Sequence, residues 1–107
     1  MNEPSINVRQ LSAAWVHSHE EDTPTATVYR PAEFPFPPAR GRKGFRLWPD
    51  GTLVSERPGP TDRTETAPGA WSLRGNLLQL VPVGGAAQTL CVESVDADRL
   101  VIRKPPQ

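Results

Sequence analysis

Proline is the residue type that most limits how this chain can fold. Thirteen of its 107 residues are proline, which is more than twice the average share. Because proline removes a backbone donor and clashes with the preceding helical turn, this content argues against long helices and favours short strands with ordered loops. The densest proline run lies in Pro31–Arg40, PAEFPFPPAR, whose expected conformation is extended and polyproline-like.

Eight short segments have the composition and alternation of β-strands. Turn residues separate them, notably Pro49-Asp50-Gly51, Arg74-Gly75-Asn76 and Gly84-Gly85. A short helical turn at 5–11 is predicted to precede the strands. The predicted strands cover residues 12–18, 25–30, 44–48, 52–56, 70–73, 77–81, 88–95 and 99–104.

Short strands joined mostly by tight turns predict an all-β fold, a small antiparallel up-and-down β-barrel of about eight strands. Eight is also a number at which a sheet can close on itself and so lose its exposed edges. A two-sheet β-sandwich is the alternative. The length fits a single domain, 1–107, with a proline-rich arm at 31–40 and a long loop at 57–69.

Several short sequence patterns follow one another along these predicted strands. L-x-x-x-W spans Leu11–Trp15, and G-x-W at Gly69–Trp71 continues into W-x-L-x-G-N-x-L-x-L, which ends at Leu80. V-D-x-D-R-L then spans Val95–Leu100. Together these patterns resemble the small lipocalin-like, or calycin-type, barrels of uncharacterised bacterial proteins. The resemblance implies a β-barrel with a ligand-binding mouth, and it names no ligand.

Charge and cysteine content limit which partners and which cellular compartment the sequence predicts. Twelve basic residues balance twelve acidic ones, so no global field attracts nucleic acid, and we predict no nucleic-acid partner. No segment approaches the roughly 20 apolar residues that cross a bilayer, so we predict no membrane partner. The single cysteine, Cys91, excludes an internal disulfide and fits a cytoplasmic protein. The oligomeric state stays open.

The two irregular segments are the expected place for function, because binding residues gather on loops that a rigid scaffold displays. Aromatic, basic and acidic side chains lie in or beside these segments. We therefore predict a non-enzymatic binding module without a cofactor, whose partner is a small molecule or a protein. The candidate ligand-binding residues are Tyr29, Phe36, Arg40, Arg42, Trp48, Arg57 and Asp62.

Two alternatives remain at this level. His17 and His19 have the two-residue spacing that points both imidazoles to one face of a strand, and the adjacent acidic run Glu20–Asp22 could supply a third metal ligand. This would make the protein a metal-binding protein or a metalloenzyme. The other alternative is a structural or assembly module, in which a sheet edge or the proline-rich arm contacts a partner chain.

Overall fold

The computed structural model describes residues 6–38, 42–58 and 64–104, and the side chains of 57, 58 and 64 are not described. Strands dominate this part of the chain, as the sequence predicts. In chain order the elements are α1 (Val8–Leu11), β1 (Ala14–His17), the 3-10 helix η1 (His19–Glu21), β2 (Ala26–Pro31), β3 (Gly44–Leu47), β4 (Thr52–Pro58), β5 (Thr64–Arg74), β6 (Leu77–Pro82), β7 (Gln88–Val95) and β8 (Leu100–Arg103).

The eight strands form one closed antiparallel barrel in the order β1-β2-β8-β7-β6-β5-β4-β3. The predicted barrel is therefore confirmed over the sandwich. Strands β3 to β8 follow one another as consecutive neighbours. The β1–β2 hairpin closes the barrel with its order reversed, so that β2 pairs with β8 and β1 pairs with β3. At this hairpin the strand order differs from a simple up-and-down succession.

This strand order explains the position of the proline-rich arm. Pro31, at the end of β2, pairs with Trp15, whereas Gly44, at the start of β3, pairs with Val16 on the other edge of the same strand. The chain between them must therefore cross β1. The arm begins with a hydrogen bond from Ala32 N to Ala14 O at 3.0 Å, and its described residues, 32–38, are exposed or half-buried. The arm lies outside the barrel.

The long loop predicted at 57–69 is largely strand in the described residues, and that part of the prediction is corrected. β4 and β5 pair continuously from Thr52↔Ala70 to Pro58↔Thr64. The sequence places Pro68 in the loop and predicts that the fifth strand begins at residue 70, since proline is confined to edge strands, strand starts and bulges. Here β6 stops opposite Gly69, and only Val83 N reaches the Pro68 carbonyl, at 2.8 Å. The proline is tolerated because β5 is an edge from that point on.

One end of the barrel, where β1 begins, is filled by side chains and is called the closed end. Helix α1 covers it, and the Asn7 side chain caps that helix by accepting from Arg9 N at 2.8 Å. Leu11 and Leu78 have no exposed area, and Trp15 is 1% exposed. The Trp15 indole N–H donates to Leu11 O at 3.0 Å, so the buried ring leaves no polar atom unsatisfied.

Candidate functional site

The opposite end of the barrel, called the open end, contains a cavity of about 350 Å³. Strands β2, β3, β5 and β7 begin at this end, and β1, β4, β6 and β8 finish there, because every neighbouring pair is antiparallel. Leu53 is fully buried and Leu80 is 4% exposed, so the cavity borders directly on the hydrophobic core. Its apolar lining consists of Tyr29, Phe45, Leu53, Leu80 and Leu90, together with parts of the β6–β7 turn.

A second cavity of about 430 Å³ adjoins the first along β2, β7 and β8. Tyr29, Lys43, Gln88 and Leu90 line both cavities, so the two are lobes of a single mouth. The first lobe adds polar groups from Ser55 and Glu56. The second lobe is completed by Thr27, Thr89, Cys91, Ile102, Arg103 and Lys104.

Tyr29 is the central side chain of this mouth. Its ring packs between the His17 ring, at 5.6 Å between centroids, and the Phe45 ring, at 5.0 Å. Burial raises the pKa of Tyr29 to about 12, and the Asp22 carboxylate adds to the shift. The Tyr29 hydroxyl has no hydrogen-bond partner among the described residues. Every fully buried side-chain nitrogen or oxygen in this part of the chain does have a partner, so the hydroxyl is not fully buried. Tyr29 therefore offers the mouth a protonated hydroxyl.

Behind Tyr29, His17 is engaged by a carboxylate. Its Nε2 lies 2.8 Å from Asp22 Oδ2, and Asp22 Oδ1 accepts from Val28 N at 2.9 Å. The His17 and His19 ring centroids are 6.0 Å apart. Within residues 6–38, 42–58 and 64–104, no group of three or more His, Cys, Asp or Glu side chains is placed to hold a metal ion. The metal site predicted at His17 and His19 gains no third ligand from this part of the chain.

Two ion-pair clamps join η1 to the outer wall of the barrel. Arg42 donates to both oxygens of Glu20, at 2.9 and 2.5 Å, and also to the His17 carbonyl at 3.1 Å. The hydrogen bond from Arg42 lowers the pKa of Glu20 to about 2. The Arg42 guanidinium also stacks on the Phe36 ring, 4.7 Å from its centroid. The arm is thereby fixed to η1 just before Lys43 enters the mouth.

The second clamp repeats this arrangement one strand away. Arg30 donates to both oxygens of Glu21, at 2.7 and 2.6 Å, and stacks on the Phe34 ring at 4.7 Å. The hydrogen bond from Arg30 lowers the pKa of Glu21 to about 2, with a further contribution from the Ser18 hydroxyl. Each clamp thus joins a carboxylate of η1, an arginine and a phenylalanine of the arm. We refer to the two together as the arm clamps.

The predicted ligand-binding residues do not converge on one place. Tyr29 lies in the mouth, whereas Phe36 and Arg42 belong to the arm clamps on the outer wall. Trp48 lies at the closed end, where its carbonyl accepts from the Trp71 indole at 2.8 Å. Arg57 is described only by its backbone, which pairs with Glu65 in the β4–β5 hairpin. The predictions for Arg40 and Asp62 fall outside the described residues.

Sequence reasoning missed most of the mouth, including Lys43, Phe45, Ser55, Gln88 and Lys104. A usable signal was present in the strand alternation. Phe45 near the start of β3 pairs with Ser55 near the end of β4, and Leu80 near the end of β6 pairs with Gln88 at the start of β7. The inward-facing residues of these four strand ends therefore meet at one end of the barrel. That signal needs the strand directions, which the local sequence does not contain.

In comparisons with known proteins, no family model, curated protein or solved structure matches the chain. Across the described residues, neither helix has the length and apolar character that spanning a membrane requires.

Proposed function

We propose that this protein is a non-enzymatic binding module that holds a small molecule with an apolar body in the mouth at the open end of its barrel. The observation that carries the proposal is the asymmetry of the barrel. At one end Leu11, Trp15 and Leu78 are almost fully buried, and the other end keeps two adjoining lobes of about 350 and 430 Å³.

The size and lining of the mouth support this proposal. Ligand pockets typically measure ~300–1,000 Å³ and combine apolar walls with a few polar groups that orient the ligand. Here the walls are aromatic and leucine side chains, and Tyr29 supplies a hydrogen-bond donor between them. A phenol whose pKa is raised to about 12 stays protonated at neutral pH, which suits recognition better than proton abstraction. The resemblance to lipocalin-like barrels points in the same direction.

The test measures binding of phenylnaphthylamine, an uncharged apolar fluorophore, to the intact chain. We expect its emission to rise on binding with a dissociation constant in the micromolar range. Leu90→Trp should weaken this binding at least tenfold, because Leu90 lines both lobes and an indole there occupies the space. The matched control is Leu77→Trp, which adds the same ring at a position that is 44% exposed on a neighbouring strand.

The two variants make the outcome decisive. Loss of binding in Leu90→Trp with retention in Leu77→Trp supports the mouth as the binding site. Absence of binding to the parent chain, or equal binding to both folded variants, contradicts it. Near-ultraviolet circular dichroism of each variant confirms that the barrel has formed.

A second candidate function, a structural or assembly module, is favoured by the edge of β5. β5 extends past the end of β6, so the stretch 64–67 has β4 on one side and no strand on the other among the described residues. Because the Pro68 carbonyl faces Val83, the backbone groups of Thr66 face this same open side. A groove of about 460 Å³ runs beside it, so the edge is available to a partner strand.

Sedimentation equilibrium tests this second candidate. If the edge pairs with another copy of the chain, Thr66→Pro should raise the dissociation constant of self-association, because it removes the N–H that faces outward. Thr66→Val keeps that N–H and serves as the control. A parent chain that stays monomeric at high concentration, or self-association that both variants retain equally, would rule out this edge as a self-assembly surface.

A further inference from the structure

Two lysines stand at the rim of the mouth with their backbones fixed in the sheet. The Lys43 carbonyl accepts from His17 N at 2.9 Å, and Lys104 N donates to the Thr25 carbonyl at 2.8 Å. Each lysine thus extends a strand by one position, Lys43 before β3 and Lys104 after β8. Their positions at the rim are therefore set by backbone hydrogen bonds.

Strand alternation directs both side chains toward the mouth. Lys43 lies two residues before Phe45, and Lys104 lies two residues after Ile102. Phe45 lines the first lobe and Ile102 lines the second. Residues two apart on a strand share a face, and the structure accordingly places Lys43 in the lining of both lobes and Lys104 in that of the second.

The charge around these lysines is one-sided. Neither Lys43 nor Lys104 has a carboxylate within 4.0 Å in the described part of the chain. The described lining of the second lobe contains Lys43, Arg103 and Lys104 and no acidic residue. Arg103 approaches Glu93 only at 3.9 Å, and both side chains are exposed. Glu56 is the one carboxylate among the described residues that line the first lobe.

This excess of positive charge is local, since the whole chain has as many acidic as basic residues. On the outer wall nearby, Glu20 and Glu21 are occupied by the arginines of the arm clamps. Those carboxylates therefore do not neutralise the rim. A pocket with two lysines at its rim and the Tyr29 hydroxyl as a hydrogen-bond donor attracts anions.

We infer that the ligand of this mouth carries an acidic group, a carboxylate or a phosphate, on its apolar body. The apolar body contacts Tyr29 and Leu90, and the acidic group lies between Lys43 and Lys104 in the second lobe. This inference rests on the proposed function, because it assigns the charge of the ligand that the same mouth binds.

A matched pair of fluorophores tests separately whether the mouth binds an apolar molecule and whether it prefers an acidic one. Phenylnaphthylamine is neutral, and anilinonaphthalene sulfonate has the same ring system with one anionic group. We expect the anionic probe to bind about tenfold more tightly at low salt, which corresponds to two partly exposed ion pairs. Added salt should reduce this preference, because the contacts are at the rim where screening acts.

The double variant K43Q/K104Q should abolish the preference and leave binding of the neutral probe unchanged. Arg74→Gln is the control, because it removes a positive charge from the last residue of β5, at the closed end. Equal affinities of the parent chain for the two probes, or a preference that survives in K43Q/K104Q, would overturn the inference while the proposed function stands. Failure of both probes to bind would overturn the proposed function with it.

Competition then distinguishes the two sources of the acidic group. Decanol, decanoate and decyl phosphate share one apolar chain and differ in the head group. Both acids should displace phenylnaphthylamine from the parent chain at lower concentrations than decanol does. The more effective acid identifies the preferred head group. Decanol displacing the probe as effectively as both acids would contradict an acidic ligand.

Discussion

The two ends of this barrel are stabilised by different interactions. At the closed end, side chains such as Leu11, Trp15 and Leu78 are buried almost completely, so apolar burial and close packing hold the strands together. At the open end, the mouth lies against core side chains such as Phe45 and Leu80, and the arm clamps add charged contacts on the outer surface. A small barrel can thus keep space above its core at one end, where charge-assisted contacts on the outer surface add to the apolar packing.

The largest expected difference between the ends concerns leucine truncation. Leu78 and Leu90 are direct cross-strand partners, but Leu78 has no exposed area whereas Leu90 lines the mouth. Leu78→Ala should lower the free energy of unfolding by about 3–4 kcal/mol, and Leu90→Ala by about 1 kcal/mol, because only the first creates a new cavity in a packed core. Urea denaturation of both variants measures the difference.

Equal losses in these two variants would contradict this difference between the two ends. They would mean that the mouth is as tightly packed in solution as the closed end, and that a ligand has no preformed space to enter.

The closed barrel was predictable because its signal is local. Period-two alternation and turn residues such as Asp50-Gly51 and Gly75-Asn76 mark each strand and hairpin without reference to the rest of the chain. The neighbours of β2 were not predictable in the same way. The proline-rich arm has no turn signature, so the sequence does not reveal that the chain crosses β1 and leaves β2 beside β8.

The site was harder to predict than the fold for a related reason. Lys43 and Trp48 are five residues apart, and sequence reasoning grouped Trp48 with the arm residues beside Lys43. A strand advances about 3.3 Å per residue, so β3 carries the chain from the open end to the closed end between them. Lys43 and Trp48 are therefore close in the sequence but lie at opposite ends of the barrel. Only the strand directions reveal which residues share the mouth.

A smaller effect is expected from Gly44, which tests whether the open end tolerates expansion of its wall. A Cβ at this position would collide with the Trp15 carbonyl oxygen in the adjacent strand β1. Gly44→Ala should therefore cost about 2 kcal/mol in unfolding free energy, since two backbones must separate. In the control Gly85→Ala, the added methyl contacts only the Pro82 ring, with Cγ at 3.1 Å, and a loss of at most about 0.5 kcal/mol is expected.

A negligible effect of Gly44→Ala would show that the β1–β3 contact yields easily. The open end would then be a flexible wall rather than a rigid one, and the mouth could not be treated as preformed.

The smallest expected effect concerns acid. The pKa of Glu21 is lowered to about 2 in the folded protein from an ordinary value of 4.5, chiefly by the hydrogen bond from Arg30. A lowered pKa contributes stability that is fully present above pH 4.5 and is lost as the pH falls toward 2. Glu21→Gln should therefore reduce stability by about 1 kcal/mol at pH 7 and by progressively less at lower pH.

Thermal unfolding of the parent chain and of Glu21→Gln between pH 7 and pH 2 gives this difference directly. Glu33→Gln is the control, because Glu33 is an exposed carboxylate of the arm with no ion pair among the described residues. Hydrogen exchange at pH 7 shows which end of the barrel is destabilised. Glu21→Gln should speed exchange of the Val28 amide near the open end and leave the exchange rate of the Leu78 amide unchanged. If the Leu78 amide accelerates equally, the two ends unfold as one unit, and the arm clamps stabilise the whole barrel rather than its open wall.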